Sequence, residues 1–450
     1  MEITESTVEQ PLIQEVPVEN PVDPTCTTII GESIARNSSV SINLIEGAEP
    51  ADGNATNFGT IINIANNIFG VGLLTLPYAF NKFSLVPGYV IIALMCSLSV
   101  YSFVLLAKTC NITRQYNYRD MATMLFGKVM GYVVQGIMLC YTYGSCIAHF
   151  VVVGDNFMGA FKSFFPDVEW LQNRAIVVSA LALFCIFPIS LCKTLEGLKF
   201  TSFLAVFCVI LCTAVAIVEE CLYGKINETV EVLNINSDCV LALPLMCVAF
   251  ASHYNAPRYY MELKNRSVKH FSWILAVAFG IVLLTYYAIG TAGYFQFGVD
   301  TKGNILLNYS STSIYATIAR LGMGINMVFS TPLPFFSVRG SIHSIFFPHK
   351  DASSFLYRFI SSVLVIGSTV FLSIVVNKIE TVVGLNGSLF GGLIIFFFPG
   401  LLYLEAKNAI DKTPIYRSFN KIMAIICMVI GICVCIGGTY IKIDALITDH

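Results

Sequence analysis

The chain has 450 residues, of which 56% are hydrophobic and only 12% are charged. Soluble domains carry about 25% charged residues, so this composition, with a mean hydropathy of +0.73, excludes an ordinary soluble protein and indicates a polytopic helical membrane protein. The formal net charge of −2 gives no bulk electrostatic attraction to nucleic acid, and we expect no nucleic-acid partner.

The first 57 residues differ in composition from the rest of the chain. They are polar, acid-leaning and rich in Pro, Ser, Thr and Asn, and they show no helical apolar periodicity. This pattern predicts a disordered tail over residues 1–57, followed by a transmembrane domain over residues 58–445. The tail lacks the basic and apolar regions of a signal peptide.

Eleven apolar segments follow, and each is long enough to cross ~30 Å of hydrocarbon. They lie at 58–80, 84–107, 129–160, 174–192, 197–219, 239–260, 271–295, 313–338, 355–376, 381–404 and 421–441. The sequence therefore predicts an all-α polytopic membrane protein with eleven transmembrane helices, which we expect to be a monomer in the lipid bilayer.

The first apolar segment contains amides and glycines that a lipid-facing helix does not need. Asn63, Asn66 and Asn67 precede the glycine pair formed by Gly70 and Gly72. Each unpaired polar group in lipid costs several kcal/mol, so these amides must face protein, water or a ligand. Glycine costs about 1 kcal/mol in a helix and adopts almost any backbone angle. The pattern therefore predicts a helix that is interrupted within the membrane.

The sixth segment shows a similar interruption. Ser252, His253 and Asn255 lie deep in an apolar run, and Pro257 removes a backbone donor just beyond them. Segments 1 and 6 lie five segments apart. If segments 1–5 and 6–10 form two repeats, the odd number of membrane crossings in the first repeat makes the second repeat start on the opposite side of the membrane, so the two repeats are inverted. Interrupted helices at matching places in inverted repeats indicate a transport site near the membrane midplane.

The distribution of Lys and Arg predicts the orientation of the chain. Most of these residues lie in one set of alternate loops, and the positive-inside rule places those loops and the N-terminal tail in the cytoplasm. Glycosylation sequons at Asn227 and Asn308 then fall on the opposite side, where glycosylation is expected. The outer loop that contains Asn227 also contains Cys221 and Cys239, for which we predict a disulfide, with two free thiols as the alternative.

Three motifs in the apolar segments carry a family resemblance. They are N-x-x-N-x-x-x-G-x-G-L-L-x-x-P-x-A from Asn63, H-Y-N-A-P-x-x-Y-x-E-L from His253, and P-L-P-F-F-S-V-R from Pro332. In this order and spacing they resemble the amino acid/auxin permease family, especially its vacuolar and its sodium-coupled neutral amino acid transporters. The resemblance implies eleven membrane helices with a cytoplasmic N-terminus, the first ten in the inverted-repeat fold of the leucine-transporter type.

The resemblance also implies secondary active transport of amino acids by alternating access, without enzymatic activity or an organic cofactor. It implies a role in sodium binding for Asn63 and Ser330, as in the sodium-coupled branch. The spacing of His253 and Pro257 is one residue shorter than is usual in that branch and favours the vacuolar branch, whose members mostly work by proton antiport. The implied coupling ion is therefore Na⁺ or H⁺, and the implied location is the vacuolar, lysosomal or plasma membrane.

These features together predict the substrate site. The carboxylate of an amino acid would meet N–H groups around Gly70–Gly72, and its ammonium group would meet carbonyl groups around Phe250–Asn255. No charged side chain stands clearly in this region, so a neutral amino acid is expected. The predicted substrate-binding residues are Asn66, Asn67, Gly70, Val71, Gly72, Phe250, Ser252, His253 and Asn255.

Each candidate also has a structural alternative. The amides could hydrogen-bond neighbouring helices, the glycines could permit close helix packing, His253 could be a core histidine, and Ser330 could bond its own helix. The alternative function is an amino acid sensor, which would bind an amino acid and signal through the N-terminal tail. An intramembrane enzyme is not expected, because His253 has no obvious catalytic partner in the sequence.

Overall fold

The structure is a computed structural model, and it describes residues 53–191, 199–223, 226–234, 239–347, 354–376, 378–411, 414 and 418–448. These residues form helices and connecting segments, and none of the described residues belongs to a β-strand. The predicted tail lies outside the described residues except for residues 53–57. Within that stretch, Ala55 forms an isolated parallel β-bridge with Leu263.

The helices are numbered in chain order. They are α1 (Asn57–Ile68), α2 (Gly72–Phe83), α3 (Leu85–Thr113), α4 (Tyr118–Phe126), α5 (Lys128–Phe164), α6 (Arg174–Ser190), α7 (Lys199–Tyr223), α8 (Cys239–Ala249), α9 (Ala256–Glu262), α10 (Val268–Phe297), α11 (Ile314–Ser330), α12 (Pro332–Phe346), α13 (Phe355–Val375), α14 (Ile379–Ile410) and α15 (Phe419–Thr448). Short 3₁₀ turns lie in several of the connections, and α6 and α14 each contain π-helical turns.

Eight helical stretches of the described chain are long and apolar enough to cross a membrane, and the bent pair of α1 and α2 makes a ninth. The chain is therefore a multi-pass membrane protein. The predicted number of eleven is not reached by this criterion, because two predicted segments fall short of it. Helix α6 is a shorter apolar helix, and the sixth segment is divided between α8 and α9.

The interruption predicted in the first segment is confirmed. Helix α1 ends at Ile68, α2 begins at Gly72, and the two helices are bent by 55° relative to each other. A Cβ atom on Gly72 would lie 2.9 Å from the Cβ of Ala249 and closer still to its Cα. Glycine is required at this position because α2 begins in close contact with the backbone of α8.

The interruption of the sixth segment is also confirmed. Helix α8 ends at Ala249, and the chain passes through an irregular stretch and a 3₁₀ turn before α9 begins at Ala256. Pro257 lies in the first turn of α9, where its missing N–H removes no intrahelical hydrogen bond. The proline therefore starts the second half-helix.

The interrupted helices pack against neighbours that bury them. Helix α2 packs against α8 and α10, and α10 also packs against α3. In a second group, α11 packs against α5 and α7. Large apolar side chains at the periphery, such as Phe184 and Leu284, are exposed. An exposed apolar surface of this kind is expected where a helix bundle contacts lipid.

The structure does not form the predicted disulfide. Cys221 is an exposed free thiol near the end of α7. The Sγ of Cys239 instead donates a hydrogen bond to the carbonyl oxygen of Lys82, 3.4 Å away. The first residue of α8 is thus held against the end of α2 and not against the end of α7, which corrects the prediction.

Candidate functional site

A cavity lies where the two interrupted segments meet. Helices α1, α2, α5, α8, α11 and α14 contribute to its lining, together with the two breaks. The lining residues are Asn66, Asn67, Ile68, Gly70, Val71, Gly72, Tyr141, Ser145, Ala148, His149, Val248, Ala251, Tyr254, Ser330, Val383 and Asn386. Among these described residues there is no Asp, Glu, Lys or Arg, and eight of them have polar side chains.

The predicted substrate residues of the first segment all line this cavity, and those of the sixth segment do not. Val248, Ala251 and Tyr254 line it from the sixth segment instead. Ser330, from the predicted cation site, also belongs to the lining. The predicted residues that the structure leaves outside the lining are Asn63, Phe250, Ser252, His253 and Asn255.

The Asn67 amide connects the two breaks. Its Nδ2 donates a hydrogen bond to Ser252 Oγ at 2.9 Å, and its Oδ1 accepts one from the Tyr254 hydroxyl at 2.7 Å. Ser252 is fully buried behind the cavity wall. Ser252 therefore supports the site through Asn67 and does not face the cavity itself.

Ser330 contacts Asn66 and not Asn63. Its hydroxyl lies 3.3 Å from Asn66 Oδ1 and 2.8 Å from Asn326 Oδ1. Asn66 Nδ2 in turn donates to Ser202 Oγ at 3.3 Å. Asn63 lies about one turn earlier on α1 and is only half-buried. No hydrogen bond joins Asn63 to Ser330, both of which are among the described residues. The oxygen atoms that the sequence predicted near Asn63 and Ser330 lie instead around Asn66 and Ser330.

His253 is a core residue. Its side chain is fully buried against α3, where Nε2 lies 2.6 Å from Ser102 Oγ and the ring centroid lies 4.2 Å from that of Phe103. Its Nδ1 has no hydrogen-bond partner among the described residues. Phe250 is likewise buried and stacks on Phe279. The position of His253 favours its structural alternative, a core histidine, and Phe250 also packs in the core.

Five polar lining residues are absent from the predicted set: Tyr141, Ser145, His149, Tyr254 and Asn386. Tyr141, Ser145 and His149 recur every four residues, which places them on one face of α5. That spacing was a readable signal in the sequence. Asn386 on α14 donates to the carbonyl oxygen of Tyr141 at 3.1 Å and to Ser145 Oγ at 3.3 Å. A single amide in an apolar segment gave no comparable signal.

The N-terminus of α2 opens into the cavity. Gly72 and the preceding Val71 both belong to the lining, and no side chain caps the first turn of the helix. The first N–H groups of a helix have no intrahelical partner, and they carry the positive end of the helix dipole. This part of the cavity can therefore bind an anionic group such as a carboxylate.

Outside the cavity lining, an ion pair joins α5 to α6. Arg174 Nη1 lies 2.6 Å from Asp155 Oδ1, and Asn304 Nδ2 donates to Asp155 Oδ2 at 3.2 Å. Arg174 also donates to the carbonyl oxygens of Val151 and Ser373. These contacts tie α6 and the connection before α11 to α5.

The two predicted glycosylation sites lie in connecting segments. Asn308 uses both ends of its amide, since Oδ1 accepts from the Lys302 N–H at 2.9 Å and Nδ2 donates to the Asp300 carbonyl at 2.8 Å. Asn227 Oδ1 accepts from the Thr229 N–H at 3.0 Å. No described residue accepts a hydrogen bond from Asn227 Nδ2, the atom to which a glycan would be attached.

Comparison with known proteins gives a consistent result. A family model for transmembrane amino acid transporter proteins matches residues 53–444. The chain is 24% identical to sodium-coupled neutral amino acid transporter 7 of Xenopus laevis over 369 residues, which are 78% of this chain and 80% of that protein. It is 29% identical to vacuolar amino acid transporter 6 of Saccharomyces cerevisiae over 294 residues, 63% of this chain and 65% of that protein.

A solved structure shares the fold. A manganese transporter from Eremococcus coleocola, in complex with an aromatic bis-isothiourea substituted compound, superposes with a TM-score of 0.60 at 10% sequence identity. The match covers 89% of this chain and 95% of that one. At this level of identity the likeness concerns the fold alone.

Proposed function

Because this chain belongs to the transmembrane amino acid transporter family, also called the amino acid/auxin permease family, we propose that it carries neutral amino acids across a membrane by alternating access. The chain is not an enzyme, since the family consists of transporters. The two relatives compared are also named as transporters, so the sensor alternative gains no support from them.

One observation carries the proposal: two interrupted helices share one uncharged, polar cavity. The substrate carboxylate binds the N–H groups at the start of α2, near Val71 and Gly72. The ammonium group binds carbonyl groups exposed by the break that follows α8. Because no Asp, Glu, Lys or Arg is among the described lining residues, the side chain of the substrate is neutral.

The proposed architecture has eleven membrane spans. Nine of them are the described stretches that are long and apolar enough to cross a membrane, and the other two are α6 and the divided sixth segment. The first ten form two inverted five-helix repeats. The fold shared with a manganese transporter supports this arrangement. In alternating access, the interrupted segments move with α3 and α10, on which they pack, against the group of α5, α7 and α11. The N-terminus lies in the cytoplasm, and the protein functions as a monomer.

The coupling ion is Na⁺ or H⁺, and each has a supporting observation. Oxygen atoms suited to Na⁺ converge where Ser330 contacts Asn66 and Asn326. The sodium-coupled name of the Xenopus relative points the same way. The yeast relative is named as vacuolar, which supports a vacuolar or lysosomal location over the plasma membrane. The spacing of His253 and Pro257 supports H⁺.

The test is amino acid uptake into proteoliposomes that contain the purified full chain. Radiolabelled alanine, serine, glutamine and leucine are supplied with a Na⁺ gradient or a pH gradient, each imposed separately. We expect uptake of at least one of them above empty liposomes under one gradient, and no uptake of lysine or glutamate. A folded protein that moves none of the four under either gradient would overturn the proposal.

A pair of asparagine variants locates the transport path. Asn67→Ala removes the link to Ser252 and Tyr254 at the cavity wall, and uptake should fall by about tenfold or more, since about 1.4 kcal/mol is a factor of ten. Asn81→Ala removes a hydrogen bond to the Val299 carbonyl at an exposed position and should leave uptake unchanged. Equal uptake by both variants would show that the path does not use this cavity.

A further inference from the structure

Two buried arginines meet at the end of α6. Arg339 on α12 donates from Nη1 to the carbonyl oxygen of Ser190 at 2.7 Å, and Arg358 on α13 donates from Nη1 to that of the next residue, Leu191. The two arginines are only 7% and 8% exposed. The last carbonyl groups of a helix have no intrahelical partner and form the negative end of its dipole. The arginines therefore cap α6 and bring two guanidinium groups to one helix end.

Capping uses only one of the three nitrogen atoms of the Arg358 guanidinium group. Nε is buried and has no hydrogen-bond partner among the described residues. Nη2 forms no hydrogen bond with a described residue either, and it is not among the buried atoms. Because a guanidinium group has five N–H donors, most of its hydrogen-bonding capacity is unused. Nε and Nη2 share one edge of the guanidinium plane, which is a geometry suited to phosphate.

The charge of Arg358 is also not balanced by the groups around it. No described Asp or Glu forms an ion pair with Arg358. The end of α6 supplies about half of an elementary negative charge, which is less than the full positive charge of the guanidinium group. The ring centroid of Phe355 lies 5.9 Å from Arg358 Cζ and offers a cation–π contact, which uses no N–H donor. A charge buried in this way is stable when an anion pairs with it.

Arg358 lies at the lipid-facing edge of the helix bundle. Its neighbours Phe355 and Leu356 are 62% and 65% exposed, and Phe346 at the end of α12 is 64% exposed. Helix α13 has 21 residues, so its length is close to the ~30 Å thickness of the hydrocarbon core. Arg358 belongs to the first turn of α13 and therefore lies at the level of the lipid headgroups, on the side that we assign to the cytoplasm.

We propose that Arg358 binds the phosphate group of an anionic phospholipid in the cytoplasmic leaflet. Nη2 donates a charge-assisted hydrogen bond to a phosphate oxygen, and a turn of the guanidinium group brings Nε into a second bond. The exposed side chains of Phe346, Phe355 and Leu356 contact the acyl chains. Anionic lipids are present in this leaflet, and basic pockets between membrane helices bind their headgroups. The acyl-chain contacts favour a lipid over free phosphate, which has the same headgroup chemistry.

The first experiment measures binding of phosphatidylglycerol and phosphatidylcholine to the purified full chain in detergent by native mass spectrometry. We expect the wild type to bind phosphatidylglycerol more tightly, because its headgroup carries a net negative charge. Arg358→Gln should weaken binding of phosphatidylglycerol about tenfold, since it removes a charge-assisted hydrogen bond. Arg258→Gln is the matched control, because it removes a positive charge from the same side of the membrane at an exposed position, and it should bind like the wild type.

Two outcomes of this experiment would overturn the proposal. Equal losses of binding in Arg358→Gln and Arg258→Gln would show a general attraction between charges and no site at Arg358. Equal binding of the two lipids by the wild type would show that the headgroup charge is not recognised.

Inorganic phosphate distinguishes a lipid site from a site for a free anion. Phosphate at millimolar concentration should not displace phosphatidylglycerol from the wild type any more than potassium chloride of the same ionic strength does. Displacement by phosphate alone would overturn the assignment to a lipid.

Photo-crosslinking of the wild type covers the case in which Arg358→Gln does not fold. Phosphatidylglycerol with a diazirine in its acyl chain is added to the protein in phosphatidylcholine nanodiscs, and the labelled peptides are identified. Label should concentrate on the peptides that contain Phe346, Phe355 or Leu356, and excess unlabelled phosphatidylglycerol should reduce it. Label spread evenly over the lipid-facing helices would overturn the proposal.

Discussion

The hydroxyl group of Tyr286 on α10 lies 2.6 Å from the carbonyl oxygen of Ala249 and 2.9 Å from that of Ile68. Ala249 is the last residue of α8, and Ile68 is the last residue of α1. The last carbonyl groups of a helix have no intrahelical partner. One buried hydroxyl therefore serves the ends of both interrupted helices and holds the two breaks at a fixed distance from α10.

Tyr286→Phe should destabilise the protein and slow transport. The variant leaves the buried Ala249 carbonyl without its donor, at a cost of about 1–3 kcal/mol, whereas the Ile68 carbonyl still accepts from the Gly70 N–H. Tyr287→Phe is the matched control, since it removes a hydroxyl that donates to the Tyr89 carbonyl oxygen at 2.8 Å, away from the breaks. Thermal unfolding in detergent and proteoliposome uptake check both variants. Equal losses of uptake would show that the breaks do not depend on Tyr286.

Gly72→Ala should abolish most of the uptake. The added methyl group would overlap the backbone of Ala249, and overpacking of this kind costs about 1–3 kcal/mol and moves the start of α2. Gly280→Ala on α10 places its methyl group in open space and should stabilise the helix by up to about 1 kcal/mol. Uptake and melting temperature of the two variants are compared. Normal uptake by Gly72→Ala would contradict the close contact of α2 and α8.

Arg174→Met should be strongly destabilising. It leaves the Asp155 carboxylate buried without its cation, and breaking a buried pair in this way costs about 3–5 kcal/mol. The double variant Asp155→Asn with Arg174→Met should recover part of the loss. Arg258→Met is the control, because its pair with Glu262 is exposed and worth at most about 1 kcal/mol. Melting temperatures check the series, and similar losses at Arg174 and Arg258 would contradict the buried pair.

Glycosylation should occur at Asn227 and not at Asn308. The Asn308 amide nitrogen is already bonded to the Asp300 carbonyl, whereas no described residue accepts from that of Asn227. In eukaryotic cells, Asn227→Gln should remove the mass shift seen on treatment with a glycosidase, and Asn308→Gln should not. The result also tests the proposed orientation, since the absence of any glycan on the wild type would contradict an outward location of this loop.

The helix breaks could be predicted from the sequence because backbone chemistry fixes them locally. Glycine widens the range of backbone angles and proline removes a backbone donor at any position in a chain. In the structure, α2 begins at Gly72, and Pro257 lies in the first turn of α9. The polar lining from Asn66 to Gly72 followed for a similar reason, since amides and glycines have no use on a lipid-facing surface.

The partners of single side chains could not be predicted in the same way. His253 and His149 both stand in apolar segments, and the packing of whole helices decides that the first is buried against α3 while the second faces the cavity. Ser330 contacts Asn66 and not Asn63 because the rotation of α1 against α11 selects one of two amides a turn apart. The pairing of Cys221 with Cys239 failed because Cys239 packs against α2.

The short β-bridge near the start of the described chain has a mechanical consequence. Ala55 donates its N–H to the Glu262 carbonyl at 2.9 Å and accepts from the Lys264 N–H at 3.1 Å. These bonds join the start of α1 to the end of α9. The two half-helices are therefore coupled mechanically at the ends that lie away from the breaks. A force applied to the chain before Gly53 is therefore transmitted to both interrupted segments at once.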